Sequence, residues 1–534
     1  MGQSTSTPST STVTAQELSS LFTRACSRQF QPIEIMMIKK KMESYDKDFN
    51  QVITSLEFRE MLQLPDYPHL CSLLYESAKY LSSFIGAAQG LTFHGLIRAM
   101  TLLNKERFGK LFHELDYLKL LFCSFAGHST TENDCYSVVF KATNRIDWDE
   151  LPLVKAFSES EISDTTVNVT DLLDIVAFLL VISRYEPTES LESYDFTHLD
   201  RYKHQGLNIL RAMNPEITLE NLDTMAITFH GFKDTITNVA PNLFSPMKSL
   251  LEQLLFDTIT NHKEIINTSK LINEFTLAQL STFLPLELVY SKIRKLYIGS
   301  ESGFSMRSFE SKVFKWNAPT ILLIKGNRVR ENHNQRYRRF EENYPKYKGS
   351  TPSFENHSDE IVYGVYIKEP WKISNKEVFG SHCTTMFQME PIQRIYKPTV
   401  SAKHFVYFNT LGGGIGIGSE MPNVKNGTVR YNPGNVSLIM DSTLEFAVFR
   451  HLPLGGEFKS LQLSPEYEDR IHINDVEVWG CGGEKELEEQ NKQWEWEQNE
   501  VKRRQQINVK SMGEDRALLE MAGLIGQHQS GGSV

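Results

Sequence analysis

Hydrophobic and polar positions follow two different periods along this chain. From Glu17 to about Ile182 the pattern is helical, as in Ile33 to Met42. Its longest apolar run, Leu172 to Ile182, is broken by Asp174 and is too short to span a bilayer. From Lys295 to Gly480 the pattern becomes that of strands. Thr320 to Lys325 (TILLIK), Ile361 to Ile367 (IVYGVYI), His404 to Asn409 (HFVYFN), Val436 to Met440 (VSLIM) and Leu444 to Phe449 (LEFAVF) are short apolar or alternating runs. Gly, Pro, Asn or Asp bounds each of them. In the last run, Arg470 to Gly480 (RIHINDVEVWG), Ile471 and Ile473 alternate with polar residues, and so do Val476 and Val478. The step from Ile473 to Val476, however, is three and not two. A one-residue slip turns every later side chain to the opposite face, so the spacing predicts a bulge at Asn474-Asp475.

Repeated short strands after a long helical region predict an α+β chain: an all-α N-terminal region, an antiparallel core of two packed sheets with flanking helices, and a C-terminal helix. The divisions expected are a disordered N-terminus (1–16), a helical region (17–183), a helical connection (184–275), the sheet domain (276–482), a C-terminal helix (483–512) and a disordered tail (513–534). In the C-terminal helix the acids lead and the bases trail, which matches the helix dipole. Leu487, Trp494 and Val501 form a thin apolar seam there, suited either to a partner helix or groove or to docking on the chain's own sheet domain.

Within the sheet region the order SESGFS (Ser300 to Ser305), PTILLIK, YGVYIKEPW, VFGSHCTTMF (Val378 to Phe387), a glycine run and INDVEVWG resembles the TLDc domain. The whole layout is similar to a group of fungal TLDc proteins tied by name to telomere capping. The resemblance implies a non-catalytic protein that binds the V-type proton ATPase of the vacuole, promotes its disassembly and contributes to oxidative-stress resistance. It also makes Asp475 and Glu477 candidate partner contacts near the final strand, with Leu487, Trp494 and Val501 beside them.

Two motifs bear on membranes and metals. Met1 to Ser6 (MGQSTS) fits the N-myristoylation pattern, with Gly2 as the acylated residue. One such chain gives only marginal membrane binding. No cysteine lies near Gly2 and the first basic residue is Arg24. The second signal is therefore expected from a protein partner at the cytosolic face of the vacuole membrane. Asp46 to Glu57 (DKDFNQVITSLE) places Asp46, Asp48, Asn50, the Val52 carbonyl and Glu57 at the ligand positions of an EF-hand loop, so Ca²⁺ is a candidate ion. Gln51 stands where that loop needs glycine for its sharp turn. An EF-hand-like scaffold kept for shape is expected, with Gly90 to Met100 as half of its partner hand. Leu118 to Phe125 and Ile146 to Phe157, then Val169 to Ser183, are expected as a further pair.

Composition narrows the remaining classes. A net charge of −10 over 534 residues gives no support to bulk nucleic-acid binding, although Lys325 to Lys348 is a local exception. That insertion carries Lys325, Arg328, Arg330, Arg336, Arg338, Arg339, Lys346 and Lys348, interleaved with Tyr337, Phe340, Tyr344 and Tyr347. It reads either as a solvated insertion or as a site for nucleic acid or anionic lipid. A calcium sensor is the other alternative function. Six scattered cysteines without a CxxC pair are expected as reduced thiols of a cytoplasmic protein. No enzyme is expected. The run Leu411 to Glu420 (LGGGIGIGSE) lacks dinucleotide-binding spacing and suits bends or close backbone approach. Asp441-Ser442 with His404 or His451, and Cys383 with His382, have no geometry assigned by sequence.

Overall fold

The computed structural model describes residues 11–13, 15–45, 48–62, 64, 66–86, 90–127, 138–140, 146–183, 199–253, 269–285, 289, 293–329, 334–345, 347, 358–461, 465–482, 488–492, 495–496, 499–500 and 502–503. The strands are β1 (Ser11–Val13), β2 (Val138–Phe140), β3 (Thr166–Asn168), β4 (Ala226–Thr228), β5 (Arg294–Ile298), β6 (Thr320–Arg328), β7 (Glu360–Ile367), β8 (Thr385–Glu390), β9 (Arg394–Tyr396), β10 (Val406–Asn409), β11 (Gly414–Ile417), β12 (Glu420–Lys425), β13 (Thr428–Asn432), β14 (Val436–Met440), β15 (Phe446–His451) and β16 (Tyr467–Gly480). The helices that matter below are α1 (Ala15–Ser27), α2 (Pro32–Glu43), α3 (Ser55–Met61), α4 (Pro68–Ser83), α5 (Phe93–Leu103), α6 (Lys105–Phe108), α7 (Tyr117–Phe125), α8 (Pro152–Glu159), α9 (Val169–Ile182), α10 (Leu199–Met213), α11 (Phe229–Asn238), α12 (Pro246–Gln253) and α13 (Glu274–Ser281).

The helical region has one core running from Leu18 to Leu251, built around α9, whose residues from Leu172 to Ile182 are all buried. Besides the antiparallel pair β1–β2, two short backbone pairings join loops that lead into helices. Ile53 N–H donates to the Leu91 carbonyl at 2.7 Å, just before α3 and α5. In the second, β3 pairs antiparallel with β4 through Val167 and Ile227, ahead of α9 and α11. The further pair therefore joins the loop before α9 to the loop before α11, and not the segments 118–125 and 146–157 to 169–183. The signal was present in Ala226 to Phe232, where a short β stretch capped by Thr228 leads into α11.

The expected pair of sheets is one continuous sheet of ten strands, in the order β10-β11-β14-β15-β16-β6-β7-β8-β9, with β5 also on β16. β16 is long enough to serve both halves. Its first half pairs with β15 from Tyr467 to His472, and its second half pairs with β6 and β5. The register shifts between Ile473 and Asp475, at the position the spacing predicted. The sheet folds over itself there. Tyr363 of β7 stacks on Phe449 of β15 with centroids 4.4 Å apart, whereas strands three places apart in a flat sheet are about 14 Å apart.

Alternate residues of each strand then face different layers. Leu322, Ile324, Tyr363, Val365, Ala447, Phe449, Val476 and Val478 fill the space between the two halves. Ile321, Leu323, Val362, Phe387 and Trp479 face α13 and the segment before β5. Ile439, Phe446 and Val448 face the helix Gln335–Asn343. Burial on both faces explains why TILLIK is an unbroken apolar run. The glycines serve close approach: a Cβ on Gly416 would lie 2.3 Å from the Tyr407 ring.

Candidate interaction surface around the last strand

The bulge in β16 puts two carboxylates to structural use. Asp475 accepts the Ser300 N–H at 3.0 Å and the Ser300 hydroxyl at 2.5 Å. This anchors the turn Gly299–Ser302, where Gly303 follows at φ +83°. Tyr297 Oη donates to the Gly303 carbonyl at 2.9 Å, and the turn presents Phe304 partly to solvent. Glu477 is fully buried and accepts from Ser269 Oγ at 2.6 Å, Trp479 Nε1 at 2.9 Å and the Leu271 N–H at 3.4 Å. Burial raises its pKa, and the Ser269 hydrogen bond opposes the rise. The expectation that both carboxylates face a partner is corrected: each is buried by the segment it holds. Two polar residues between apolar neighbours look the same in sequence whether they meet water or a neighbouring loop.

The C-terminal helix is rooted on this same edge. Gln490 is buried, accepting the Asn317 N–H at 2.9 Å and donating to the Lys315 carbonyl at 2.7 Å, while Asn491 accepts from Arg294. Sequence analysis missed both residues, because a Gln-Asn pair in a polar helix carries no signal of docking. Beyond them Trp496 is 66% exposed. Leu487, Trp494 and Val501 lie outside the described residues, as do Gly2, Asp46 and the tail 513–534.

The described part of the basic insertion beyond β6 is a helix docked on the sheet by its aromatic face. Tyr337, Phe340 and Tyr344 pack on Tyr431, Phe446 and Val448, so three of the four rings interleaved with the bases are buried, and Tyr347 alone of the four is exposed. Arg328 donates to Asp469 at 3.1 Å, Arg336 pairs with Glu445 at 3.2 Å, and Lys325 pairs with Glu360. Arg338 and Arg339 remain exposed. The spacing of Tyr337, Phe340 and Tyr344 was a helical signal that the reading of the insertion did not use, and the sheet surface that takes this apolar face is not displayed in sequence.

The described part of the metal loop does not fit Ca²⁺. The Glu57 carboxylate accepts the Thr54 N–H at 2.7 Å and the Thr54 hydroxyl at 2.8 Å, forming a capping box at the start of α3. Asp48 and Asn50 are exposed, and the Asp48 N–H donates to the Gln51 side chain at 3.2 Å. Among the described residues, no three His, Cys, Asp or Glu side chains stand together as a metal site.

The groups considered for catalysis are engaged elsewhere. Asp441 closes a turn by accepting the Glu445 and Phe446 N–H groups at 2.9 Å each. His451 is fully buried: its Nδ1–H donates to the Pro465 carbonyl at 3.1 Å, and its Nε2 accepts the Leu461 N–H at 3.0 Å. His404 pairs with Glu457 at 2.8 Å. Cys383 is exposed, and the ring of His382 lies against Phe405 at a centroid distance of 5.2 Å.

A folded antiparallel sheet with its last strand bulged around an SESGFS turn defines a TLDc-domain protein, and the TLDc profile matches residues 265–482. Over its full length the chain is 40% identical to the restriction of telomere capping protein 5 of Kluyveromyces lactis, covering 100% of both chains. The Komagataella phaffii protein of that name is 38% identical, with 98% of this chain and 97% of that one covered. The Saccharomyces cerevisiae protein of that name is also 38% identical, with 97% and 96% covered. The chain belongs to this restriction of telomere capping protein 5 family. Its match to the TLDc profile begins before the expected boundary at 276, in the segment whose Ser269 and Leu271 hold Glu477.

Proposed function

We propose that this chain is a non-catalytic adaptor that docks on the vacuolar V-type proton ATPase and promotes release of its peripheral sector from the membrane sector. N-myristate on Gly2 holds it at the cytosolic face of the vacuole membrane. Trp496 carries the case: a large aromatic side chain stands exposed on a helix whose root, Gln490-Asn491, is pinned to the sheet domain. Such side chains dominate interface energetics when a partner covers them. The choice of the pump, and the link to oxidative-stress resistance, come from the TLDc resemblance. Telomere capping enters through the name of the relatives. The helical region acts as an EF-hand-like scaffold kept for shape, supported by its two loop pairings and by Glu57 serving as a cap. No helix among the described residues is long and apolar enough to cross a membrane, in keeping with peripheral attachment. A nucleic-acid contact through 325–348 has less support because three of its four aromatic residues, Tyr337, Phe340 and Tyr344, are buried against the sheet.

The test mixes purified protein with vacuolar membranes, with and without residues 484–534. Peripheral-sector subunits should co-sediment with the full chain and be lost on truncation. Absence of pump subunits with either form would overturn the proposal.

A further inference from the structure

Helix α2 carries more apolar surface than the fold uses. Its sequence, PIEIMMIKKKME, has two apolar faces on opposite sides, because residues advance about 100° each around a helix. Ile38 and Met42, with half-buried Ile35, turn inward on one side. On the other side Ile33, Met36 and Met37 share a face with Lys40, one turn further on. Ile33 is 55% exposed and Met36 59% exposed. Lys40 is exposed at the C-terminal end of this face, Lys39 is exposed at its flank with its ammonium 5.4 Å from the Phe49 ring centroid, and Arg24 and Arg28 are exposed just before the helix. Residues 15–43 hold five bases against three acids in a chain whose net charge is −10, and one of those acids, Glu34, is paired with Arg107 at 2.9 Å.

We infer that the Ile33–Met36–Lys40 face of α2 is a membrane-docking surface for anionic lipid. Long flexible apolar side chains enter the headgroup boundary, while lysines extend along them and keep their charges among anionic headgroups. A protein groove would also cover Ile33 and Met36, but the cluster of bases beside them favours a surface of diffuse negative charge. The inference rests on the membrane attachment proposed above and supplies the second signal that a single acyl chain requires. The nine residues from Gly2 to the start of β1 at Ser11 can span up to about 30 Å, which gives the acyl chain reach toward the surface that α2 would meet. Sequence placed the first base too far from Gly2 to help. The fold puts α2 on the outside of the helical core.

The test sediments the full chain, in acylated and unacylated forms, with vesicles of phosphatidylcholine alone or phosphatidylcholine mixed with phosphatidylserine. Unacylated protein should bind the anionic vesicles in a salt-sensitive way and ignore the neutral ones. Ile33→Asn with Met36→Gln should weaken binding roughly tenfold in both forms, without changing the melting temperature, since both side chains are exposed. Lys39→Glu with Lys40→Glu should abolish the preference for phosphatidylserine. If the acylated double variant binds as tightly as the acylated parent, or the unacylated chain ignores anionic vesicles, the inference is overturned. Failure of Gly2 to accept an acyl chain would instead defeat only the attachment proposed above, because the unacylated arm reads α2 alone.

Discussion

His451 shows how burial turns a common residue into a pH-dependent strut. Desolvation lowers its pKa from 6.5 to about 4, so the folded protein holds it neutral while the unfolded chain takes up a proton. The stability it contributes is complete above pH 6.5 and is lost as pH falls toward about 4. The whole drop is worth on the order of 3 kcal/mol. Urea unfolding across this range should show that loss, and His451→Gln should flatten it; an equal slope in the variant would assign the effect elsewhere. Glu477 is the second such residue. Glu477→Ala strands the donors of Ser269, Leu271 and Trp479 and should cost about 2–4 kcal/mol in urea unfolding. Its partners come from opposite ends of the domain, which is why its identity as a buried acceptor could not be read locally.

At the scale of elements, the helix Gln335–Asn343 separates packing from charge. Phe340 stacks on Phe446 with centroids 6.0 Å apart, whereas Arg338 and Arg339 face solvent. Phe340→Ala should cost about 3 kcal/mol or more, measured as a lower midpoint of chemical unfolding. Arg338→Ala with Arg339→Ala should change stability by less than about 0.5 kcal/mol. Equal effects from both would mean that the helix is not held by its aromatic face. The strands were the more legible elements: TILLIK, IVYGVYI and VSLIM each became one, and the slip before Val476 became a bulge. Two expected sheets became one because a strand's apolar alternation reports burial and not which neighbour supplies its hydrogen bonds.

Across the whole molecule, helical region and sheet are joined by the turn between β8 and β9. Gln393 N–H donates to the Asn208 carbonyl at 2.8 Å, the Gln393 side-chain amide donates to the Val239 carbonyl at 3.2 Å, and Arg211 donates to the Pro391 carbonyl at 3.1 Å. Calcium is not expected to act on the helical region that this joint holds. Its addition should leave the melting temperature unchanged, and Glu57→Gln should lower stability by about 1 kcal/mol with or without the ion, as weakening of a cap predicts. A calcium-dependent rise in the parent that Glu57→Gln removes would restore the sensor alternative.

The sequence by itself determined the order of helices and strands, the bulge in the last strand, the glycine-dependent contacts and membership of the TLDc family. These follow from local spacing, steric size and motif order, which need no knowledge of neighbours. Tertiary structure alone decided that Asp475 and Glu477 are clamps, that Glu57 is a cap, that the basic insertion docks its aromatics and that α2 leaves an apolar face outside. Each depends on which surface meets which across long separations in the chain, and burial there changes what a carboxylate, an arginine or an isoleucine does.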